Sequence, residues 1–285
     1  MRNKKFKSFA KINLFLNIGN KVNNSGLHNI QSLVFLINLF DEINIKKNKS
    51  KTDKIKFYGK FCNKINKNNT ITKSLYILRK KGFIDQNFKY DIKIKKQIPV
   101  FSGLGGGSSN AAYLIKNLVE KKKLTEKNKS IFSKHIGSDL KLFFYSNQIF
   151  QKKLYKITNL KSKIKLYFIL VYPFLKCSTK EIYSNIRNLN NFKTKIVYSK
   201  SSKKKIINNL LNEQNSLQEI VISKFPIIKK ILFELKNLKK CQFSRLTGSG
   251  SACFGVFLTK KSADLGLKKI RKRFPKFWCV VGKTI

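Results

Sequence analysis

Acidic residues are scarce in this chain of 285 residues: 13 Asp and Glu stand against 62 Lys and Arg, which gives a formal net charge of +49. A basic excess of this kind usually indicates a nucleic acid or an acidic membrane as the partner. Arginine, the residue best suited to reading bases and gripping phosphates, supplies only six of the 62 cations. Lysine is instead spread along the whole chain. We therefore interpret the charge as compositional drift at surface positions and expect no nucleic acid partner.

Cysteine and histidine are also few, with five Cys in no C-x-x-C pair and two His. Their scarcity argues against a zinc finger or a Cys/His metal cluster. Unpatterned cysteines are typical of reduced thiols, so we expect a cytoplasmic location. The longest apolar runs, 33–40 and 167–175, contain Asn38 and Pro173 and are too short to span a membrane. The basic start lacks a small-residue cleavage site, so we expect a mature cytosolic start and no membrane partner.

Apolar sequence is plentiful, at 42% of the chain with 24 Phe. Strand-like alternation and helix-like periodicity mix without a strict β-α-β rhythm, which predicts an α+β fold in two domains. The polar, Lys-rich composition near 150–165 suggests the boundary, with an N-terminal domain at 1–155 and a C-terminal domain at 156–285. The same patterns predict, among other elements, helices at 69–81, 111–123 and 206–222 and a strand at 140–145.

A glycine-rich loop is the sharpest local signal in the chain. Without Cβ atoms its backbone N–H groups can close around an anion, and the helix that follows adds positive charge at its N-terminus. The pattern is neither a Walker A loop nor a dinucleotide fingerprint, because the Gly-Lys-Ser/Thr and the later acidic partner are missing. A tight turn at a helix start is the alternative. We predict a phosphate site formed by Pro99, Val100, Phe101, Ser102, Gly103, Leu104, Gly105, Gly106, Gly107, Ser108 and Ser109, the two serines also being possible metal ligands.

Three other features have both a functional and a structural interpretation. Asp139, before an apolar segment, has the chemistry of a base that accepts a hydroxyl proton, but by itself it is more typical of a helix end or a turn. Lys11 interrupts an apolar alternation and either faces a site or lies on an exposed strand face. The turn Gly248–Gly250 by itself predicts only a hairpin.

Six sequence blocks that span nearly the whole chain carry a family resemblance. They are AKINLFL at 10–16, GLHNIQSL at 26–33, PVFSGLGGGSSNAA at 99–112, GSDLKLFF at 137–144, STKEIY at 178–183 and RLTGSGSACFGVF at 245–257. In this order the blocks resemble the GHMP kinases, and the combination of GLGGGSSNAA with the AKINL start is specific. The resemblance implies a two-domain α+β kinase with its active site in the interdomain cleft, using ATP and Mg²⁺.

The resemblance also implies roles for individual residues. The loop 99–109 would hold the ATP phosphates, and Asp139 would be the general base. Lys11 would pair with Asp139 and stabilise charge on the attacking oxygen. Within the family, the chain is similar to the branch that phosphorylates a hydroxyl of a cytidine diphosphate-linked polyol, and it would act as a monomer or homodimer. The implied substrate-binding residues are Asn13 and His28, which would read the cytosine, Tyr183, which would stack on it, and Thr179, Gly248, Ser249 and Gly250.

The chain departs from the family pattern at three places. Leu27 stands where the family usually has Tyr, which removes one aromatic face from the cytosine. Phe101 and Ser102 stand where the loop often has glycine, and Lys141 replaces a usual proline. None of these changes removes a proposed catalytic group.

Two alternative functions remain open at this point. Another GHMP kinase, acting on homoserine or a sugar, would need no cytosine pocket, so Asn13, His28 and Tyr183 discriminate against it. A basic RNA- or DNA-binding protein would show an Arg and aromatic face and a steep salt dependence.

Overall fold

The computed structural model describes residues 3–22, 27–63, 65–161, 163–186 and 202–285. The strands are β1 Lys4–Lys21, β2 His28–Asn48, β3 Lys54–Tyr58, β4 Lys89–Lys95, β5 Gln148–Lys153, β6 Lys156–Asn159, β7 Tyr167–Tyr172, β8 Ser244–Leu246, β9 Cys253–Phe257 and β10 Trp278–Lys283. The α-helices are α1 Thr70–Lys80, α2 Gly106–Leu118, α3 Glu126–Ile136, α4 Thr179–Ser184, α5 Lys203–Leu211, α6 Gln218–Lys224, α7 Ile227–Lys236 and α8 Lys260–Arg273. Short 3₁₀ helices lie at Lys121–Lys123 and Ser138–Phe144.

The chain folds into two compact units, each built from three separate segments of the sequence. Unit one consists of Met1–Ala10, Leu39–Val100 and Gly105–Tyr145, and unit two of Lys11–Asn38, Phe101–Leu104 and Ser146–Ile285. The chain therefore passes between the units five times, whereas the sequence predicts one boundary at 155/156. Composition marks a polar stretch near that boundary, but composition does not show which strand segments pack together.

Unit one combines strands with three helices. The C-terminal half of β2 pairs antiparallel with β4, with Ile43 opposite Ile94, and β3 lies parallel to β4. Helix α1 begins at a capping box in which the Asn69 side chain accepts from the backbone and the Thr72 hydroxyl accepts from the Asn69 N–H. Apolar residues at helical spacing bury one face of α1, which packs against α2 and α3.

Unit two contains a four-stranded antiparallel sheet in the order β10-β7-β9-β8. The N-terminal half of β2 pairs with β5, which pairs with β6. Strand β7, Tyr167–Tyr172, is buried along its whole length, and α7 and α8 pack on this sheet through apolar residues such as Ile231 and Ile270. In the described part of the chain, no helix has the length and apolar character needed to cross a membrane.

Three predicted elements differ from the structure. Helix α2 begins at Gly106, five residues before the predicted start, with Gly105 as its N-cap. The predicted strand 140–145 lies in the 3₁₀ helix Ser138–Phe144, whose apolar side chains are buried from several sides. The predicted helix 206–222 is two helices, α5 and α6. Residues 187–201 of the Lys/Asn-rich stretch lie outside the described ranges.

Candidate active site

The first turn of α2 presents unsatisfied backbone donors. Gly105 precedes the helix with φ 71°, a left-handed conformation that glycine adopts without strain. The Ser109 N–H donates to the Gly105 carbonyl at 2.8 Å. The N–H groups of Gly106, Gly107 and Ser108 come before this bond, where an α-helix offers no acceptor of its own. Such N–H groups, together with the positive end of the helix dipole, are able to bind an anion.

The two serines of this turn have different environments. The Ser109 hydroxyl donates to the Phe9 carbonyl at 2.7 Å, and the residue is fully buried. It therefore fastens α2 to β1, and the predicted contact of Ser109 with phosphate or metal stays a prediction. Ser108 is only partly buried, and a Cβ on Gly137 would lie 3.7 Å from its Oγ. Ser108 thus lies beside the turn that leads to Asp139.

A buried ion pair lies behind the start of α2. The Lys96 ammonium donates to Asp41, whose other oxygen accepts the N–H groups of Gln97 and Ile98 at 2.7 and 2.9 Å. A Cβ on Gly106 would lie 3.4 Å from the Lys96 Nζ. Burial lowers the pKa of Lys96, and the Asp41 carboxylate opposes that fall. The pair fixes the backbone that leads into the glycine loop, and sequence reasoning did not identify it.

Asp139 is the second residue of the 3₁₀ helix Ser138–Phe144, against which both α2 and α3 pack. Glu126 of α3 anchors this helix. Its carboxylate lies 3.2 Å from the Lys141 ammonium and accepts a hydrogen bond from the Tyr145 hydroxyl at 2.6 Å. Partial burial opposes ionisation of Glu126, but hydrogen bonds from Lys129, Tyr145 and Lys141 prevail and lower its pKa to about 2. Sequence reasoning identified Lys141 only as a departure from the family and missed Glu126.

Lys11 lies in unit two and is only 2% exposed, which excludes the alternative of an exposed strand-face lysine. Its backbone N–H donates to the Leu104 carbonyl at 3.0 Å, and its ammonium donates to the Asn13 side-chain oxygen. The Asn13 amide nitrogen in turn donates to the Ser32 hydroxyl at 2.9 Å. Both ends of the Asn13 amide therefore have a partner within the protein, and its predicted contact with a base stays a prediction.

The Gly248–Gly250 turn joins β8 and β9, so it is a hairpin turn, and it also packs against the glycine loop. A Cβ on Gly103 would lie 2.0 Å from the Thr247 carbonyl oxygen. A Cβ on Gly248 would lie 3.1 Å from the Lys11 Nζ. Ala252 donates its N–H to the Ser102 carbonyl at 3.1 Å. The turn, the 101–104 segment and Lys11 therefore form one group within unit two.

The predicted Thr179 and Ser249 come together, because their hydroxyl oxygens are 2.9 Å apart. This bond joins the start of α4 to the glycine turn. Tyr183, four residues further along the same helix, is thereby placed in the same unit as the turn. The Thr179–Ser249 pair therefore connects the glycine turn with the helix that carries Tyr183, the residue predicted to stack on the base.

His28 and Tyr183 also come together, with ring centroids 6.0 Å apart and planes at 43°. The Nδ1 of His28 lies 3.2 Å from the Gly19 carbonyl oxygen, which can only accept, so the contact selects the tautomer with the proton on Nδ1. This leaves Nε2 as an acceptor. Leu27 packs against the same apolar core as Tyr183.

The structure thus groups the candidate residues into two sets. The α2 N-terminus, Ser108 and Asp139 belong to unit one, whereas Lys11, the glycine turn, His28 and Tyr183 belong to unit two. The pairing of Lys11 with Asp139 remains a prediction.

Comparison with known proteins places these sets in a family. The family model for the GHMP kinases N terminal domain matches residues 69–139, and the model for GHMP kinases C terminal matches residues 200–276. A protein of Pelagibacter ubique (strain HTCC1062), named 4-diphosphocytidyl-2-C-methyl-D-erythritol kinase, is 37% identical over 287 residues, covering 100% of both chains. A protein of the same name from Wolbachia pipientis wMel is 30% identical and covers 95% of each chain.

Solved structures show the same fold at lower sequence identity. A crystal structure of 4-(cytidine 5'-diphospho)-2C-methyl-D-erythritol kinase matches with a TM-score of 0.74 and 19% identity, covering 99% of this chain and 100% of that chain. Homoserine kinase from Cytophaga hutchinsonii ATCC 33406 matches with a TM-score of 0.69 and 16% identity, covering 100% and 95%. By fold and by sequence, this chain belongs to the GHMP kinases, in the same family as the 4-diphosphocytidyl-2-C-methyl-D-erythritol kinases of Pelagibacter and Wolbachia.

Proposed function

We propose that this protein transfers the γ-phosphoryl group of ATP to the 2-hydroxyl of 4-diphosphocytidyl-2-C-methyl-D-erythritol, a step of the non-mevalonate route to isoprenoid precursors. The observation that carries the proposal is the open first turn of α2 in the same unit as Asp139, in a chain 37% identical to a kinase of that name. Phosphoryl transfer depends mainly on positioning and on charge stabilisation, which these groups supply.

Each charged group has a role in the proposed reaction. The α2 N-terminus binds the ATP phosphates through its free N–H groups and its dipole. Asp139 accepts the proton of the attacking hydroxyl. Lys11 supplies positive charge to the oxygen as it becomes a nucleophile, and the buried environment strengthens that interaction.

The proposed site can hold Mg²⁺ if the protein itself supplies few of the ligands. Among the residues that the structure describes, no three His, Cys, Asp or Glu side chains are grouped to hold a metal. Mg²⁺ usually keeps several waters and binds substrate phosphates together with one or two protein oxygens. The Ser108 hydroxyl, partly exposed at the α2 N-terminus, is the protein oxygen we propose for it. When bound, Mg²⁺ neutralises charge on the transferred phosphoryl group.

Cytosine recognition is assigned to His28 and Tyr183. With Nδ1–H donated to the Gly19 carbonyl, Nε2 of His28 is the acceptor that we propose for the cytosine amino group. Uracil has a carbonyl oxygen at that position, which cannot donate to Nε2, so we expect it to bind more weakly. Tyr183 offers the stacking face, which is typically worth about 1–3 kcal/mol per base. Leu27 supplies an apolar wall where the family has a second aromatic ring.

We expect the His28→Ala variant to raise the KM for the cytidyl substrate at least about tenfold, because a lost base contact is worth about 1–3 kcal/mol. The KM for ATP should stay unchanged. Steady-state kinetics with each substrate varied in turn would measure both values. The other His, His135 on α3, provides the control as His135→Ala. An equal rise in both KM values for His28→Ala would contradict the assignment.

We expect Gly107→Val to weaken ATP binding by at least about tenfold, since a branched side chain covers donors that face the phosphates. Gly107 is the better test position because it is exposed, and its Cβ would meet nothing closer than the Thr70 Oγ1 at 3.5 Å. A Cβ on Gly106 would already lie 2.9 Å from Ile98, so substitution there mixes binding with packing. Calorimetry with a non-hydrolysable ATP analogue, beside a thermal melt, measures both effects. Unchanged affinity would mean that phosphate binds elsewhere.

The decisive experiment is a coupled ADP-release assay with purified protein, ATP and Mg²⁺. The cytidyl-methylerythritol substrate, homoserine and galactose are run in parallel. Turnover with the cytidyl substrate alone is the expected result. Turnover only with homoserine or galactose would keep the mechanism and reject the substrate. If none of the three reacts while the protein is folded, the kinase proposal fails, and a salt-dependent nucleic acid complex becomes the next hypothesis to test.

A further inference from the structure

A buried chain of hydrogen bonds runs from β2 to Lys11. The Ser32 hydroxyl, with no exposed surface, donates to the Phe15 carbonyl at 2.5 Å and accepts the Asn13 amide nitrogen at 2.9 Å. The Asn13 side-chain oxygen accepts the Lys11 ammonium. The Asn13 backbone N–H donates to the Thr247 hydroxyl at 3.1 Å, which holds the residue against the glycine turn.

Only one arrangement of donors satisfies this chain. An ammonium can only donate, so Asn13 must present its oxygen to Lys11 and its nitrogen to Ser32. The Ser32 oxygen therefore accepts from Asn13, and its single proton goes to the Phe15 carbonyl, which has no proton to give. The Lys11 ammonium at one end and the Phe15 carbonyl at the other therefore fix the direction of every hydrogen bond in the chain.

We propose that Ser32 is a positioning residue for phosphoryl transfer, because its hydroxyl holds the Asn13 amide in the orientation that directs the Lys11 ammonium. The inference rests on the proposed function, in which Lys11 stabilises charge on the attacking oxygen. It also changes the part assigned to Asn13, from reading the base to orienting the lysine. Neither Ser32 nor Asn13 supplies or accepts a proton in the reaction.

Removal of the Ser32 hydroxyl would free the amide to turn. The Asn13 nitrogen would then be a buried donor without an acceptor, a state that proteins avoid. A rotation of the amide by half a turn would point its nitrogen at the Lys11 ammonium, where two donors meet and the ammonium must move away. Because a shift of about 1 Å at a reacting centre can reduce the rate roughly 10²-fold, the effect should appear in kcat.

The test compares Ser32→Ala with Ser32→Thr, which retains the hydroxyl. We expect Ser32→Ala to lower kcat about 10- to 100-fold while the KM for ATP changes less than about twofold, and Ser32→Thr to recover most of the loss. Ser74→Ala serves as the matched control, since Ser74 is also fully buried and donates to a backbone carbonyl, that of Thr70, at 2.6 Å. Thermal melts confirm that each variant is folded.

The Lys11→Met variant tests the role of Lys11 separately from the role of Ser32. If Lys11→Met leaves kcat unchanged, the role of Lys11 in the proposed function fails. If Lys11→Met lowers kcat strongly but a folded Ser32→Ala retains full turnover, the proposed function stands and the positioning role of Ser32 is rejected. A loss in Ser32→Ala that Ser32→Thr does not recover, although both are folded, would also reject it, because the hydroxyl would then not be the cause. Should Ser32→Thr not fold, Ser32→Cys, which keeps a weak donor, takes its place.

Discussion

Replacement of Asp139 by Asn should lower kcat by roughly 10²–10⁴-fold, the range that a general base typically contributes. An amide has nearly the shape of the carboxylate but cannot accept the hydroxyl proton. The 3₁₀ helix that carries Asp139 keeps its anchor, because Glu126 still pairs with Lys141 and accepts the Tyr145 hydroxyl. The affinity for ATP should therefore change less than about twofold.

The measurement is kcat for the cytidyl substrate together with ATP affinity from calorimetry. Asp85→Asn is a suitable control, since Asp85 is an exposed carboxylate of the same unit that accepts the Asn87 N–H in the turn before β4. If Asp139→Asn retains near-normal turnover, Asp139 is not the base. A large loss of ATP affinity in the variant would instead indicate a role in binding the nucleotide.

Gly103→Ala should be the most destabilising single methyl addition in the glycine loop. The added Cβ would lie 2.0 Å from the Thr247 carbonyl oxygen, a backbone atom that cannot move away alone. Gly103 also has φ 76°, a conformation that disfavours a side chain by about 1–2 kcal/mol. Overpacking typically adds about 1–3 kcal/mol, so we expect a total loss of about 2–5 kcal/mol in the free energy of unfolding.

Substitutions at two other glycines separate the conformational and packing contributions to the loss of stability expected for Gly103→Ala. Gly82 has φ 68° but no atom within 4 Å of an added Cβ, so Gly82→Ala measures the conformational part alone. Gly107→Ala has neither collision nor positive φ and should leave stability nearly unchanged. Urea unfolding of the three variants gives the comparison. A Gly103→Ala variant no less stable than Gly82→Ala would contradict the close approach of the loop and the 248–250 turn.

Local sequence chemistry predicted the features that depend on a few neighbouring residues. The helix after Asn69 was predictable because the cap and the apolar spacing lie within one segment. A helix start after the glycine loop was predictable, because glycine adopts the left-handed conformation that Gly105 has there. Phosphate binding by this loop stays a prediction. The α+β fold in two domains is confirmed as well.

Features that depend on distant residues could not be predicted in this way. The apolar segment 140–145 has strand-like composition, yet packing by α2 and α3 makes it helical. The bond from Asn13 to Ser32 joins residues that lie 19 positions apart on two strands, so the local sequence could not predict it. The serines of the loop look alike, and only the position of Phe9 distinguishes Ser109 from Ser108.

The interleaved segments of unit two have a consequence for the order in which the protein is made. Asn13 bonds Thr247, and the Leu14 carbonyl accepts from Arg245, contacts that span 234 and 231 residues. At about 5–20 residues per second, the ribosome needs roughly 10–50 s between the two ends of such a contact. The segment that carries Lys11 must wait throughout that time without its final partners. The surroundings of Lys11 are therefore completed only after residue 247 has been made, so a chain terminated before it would lack the assembled group around this lysine.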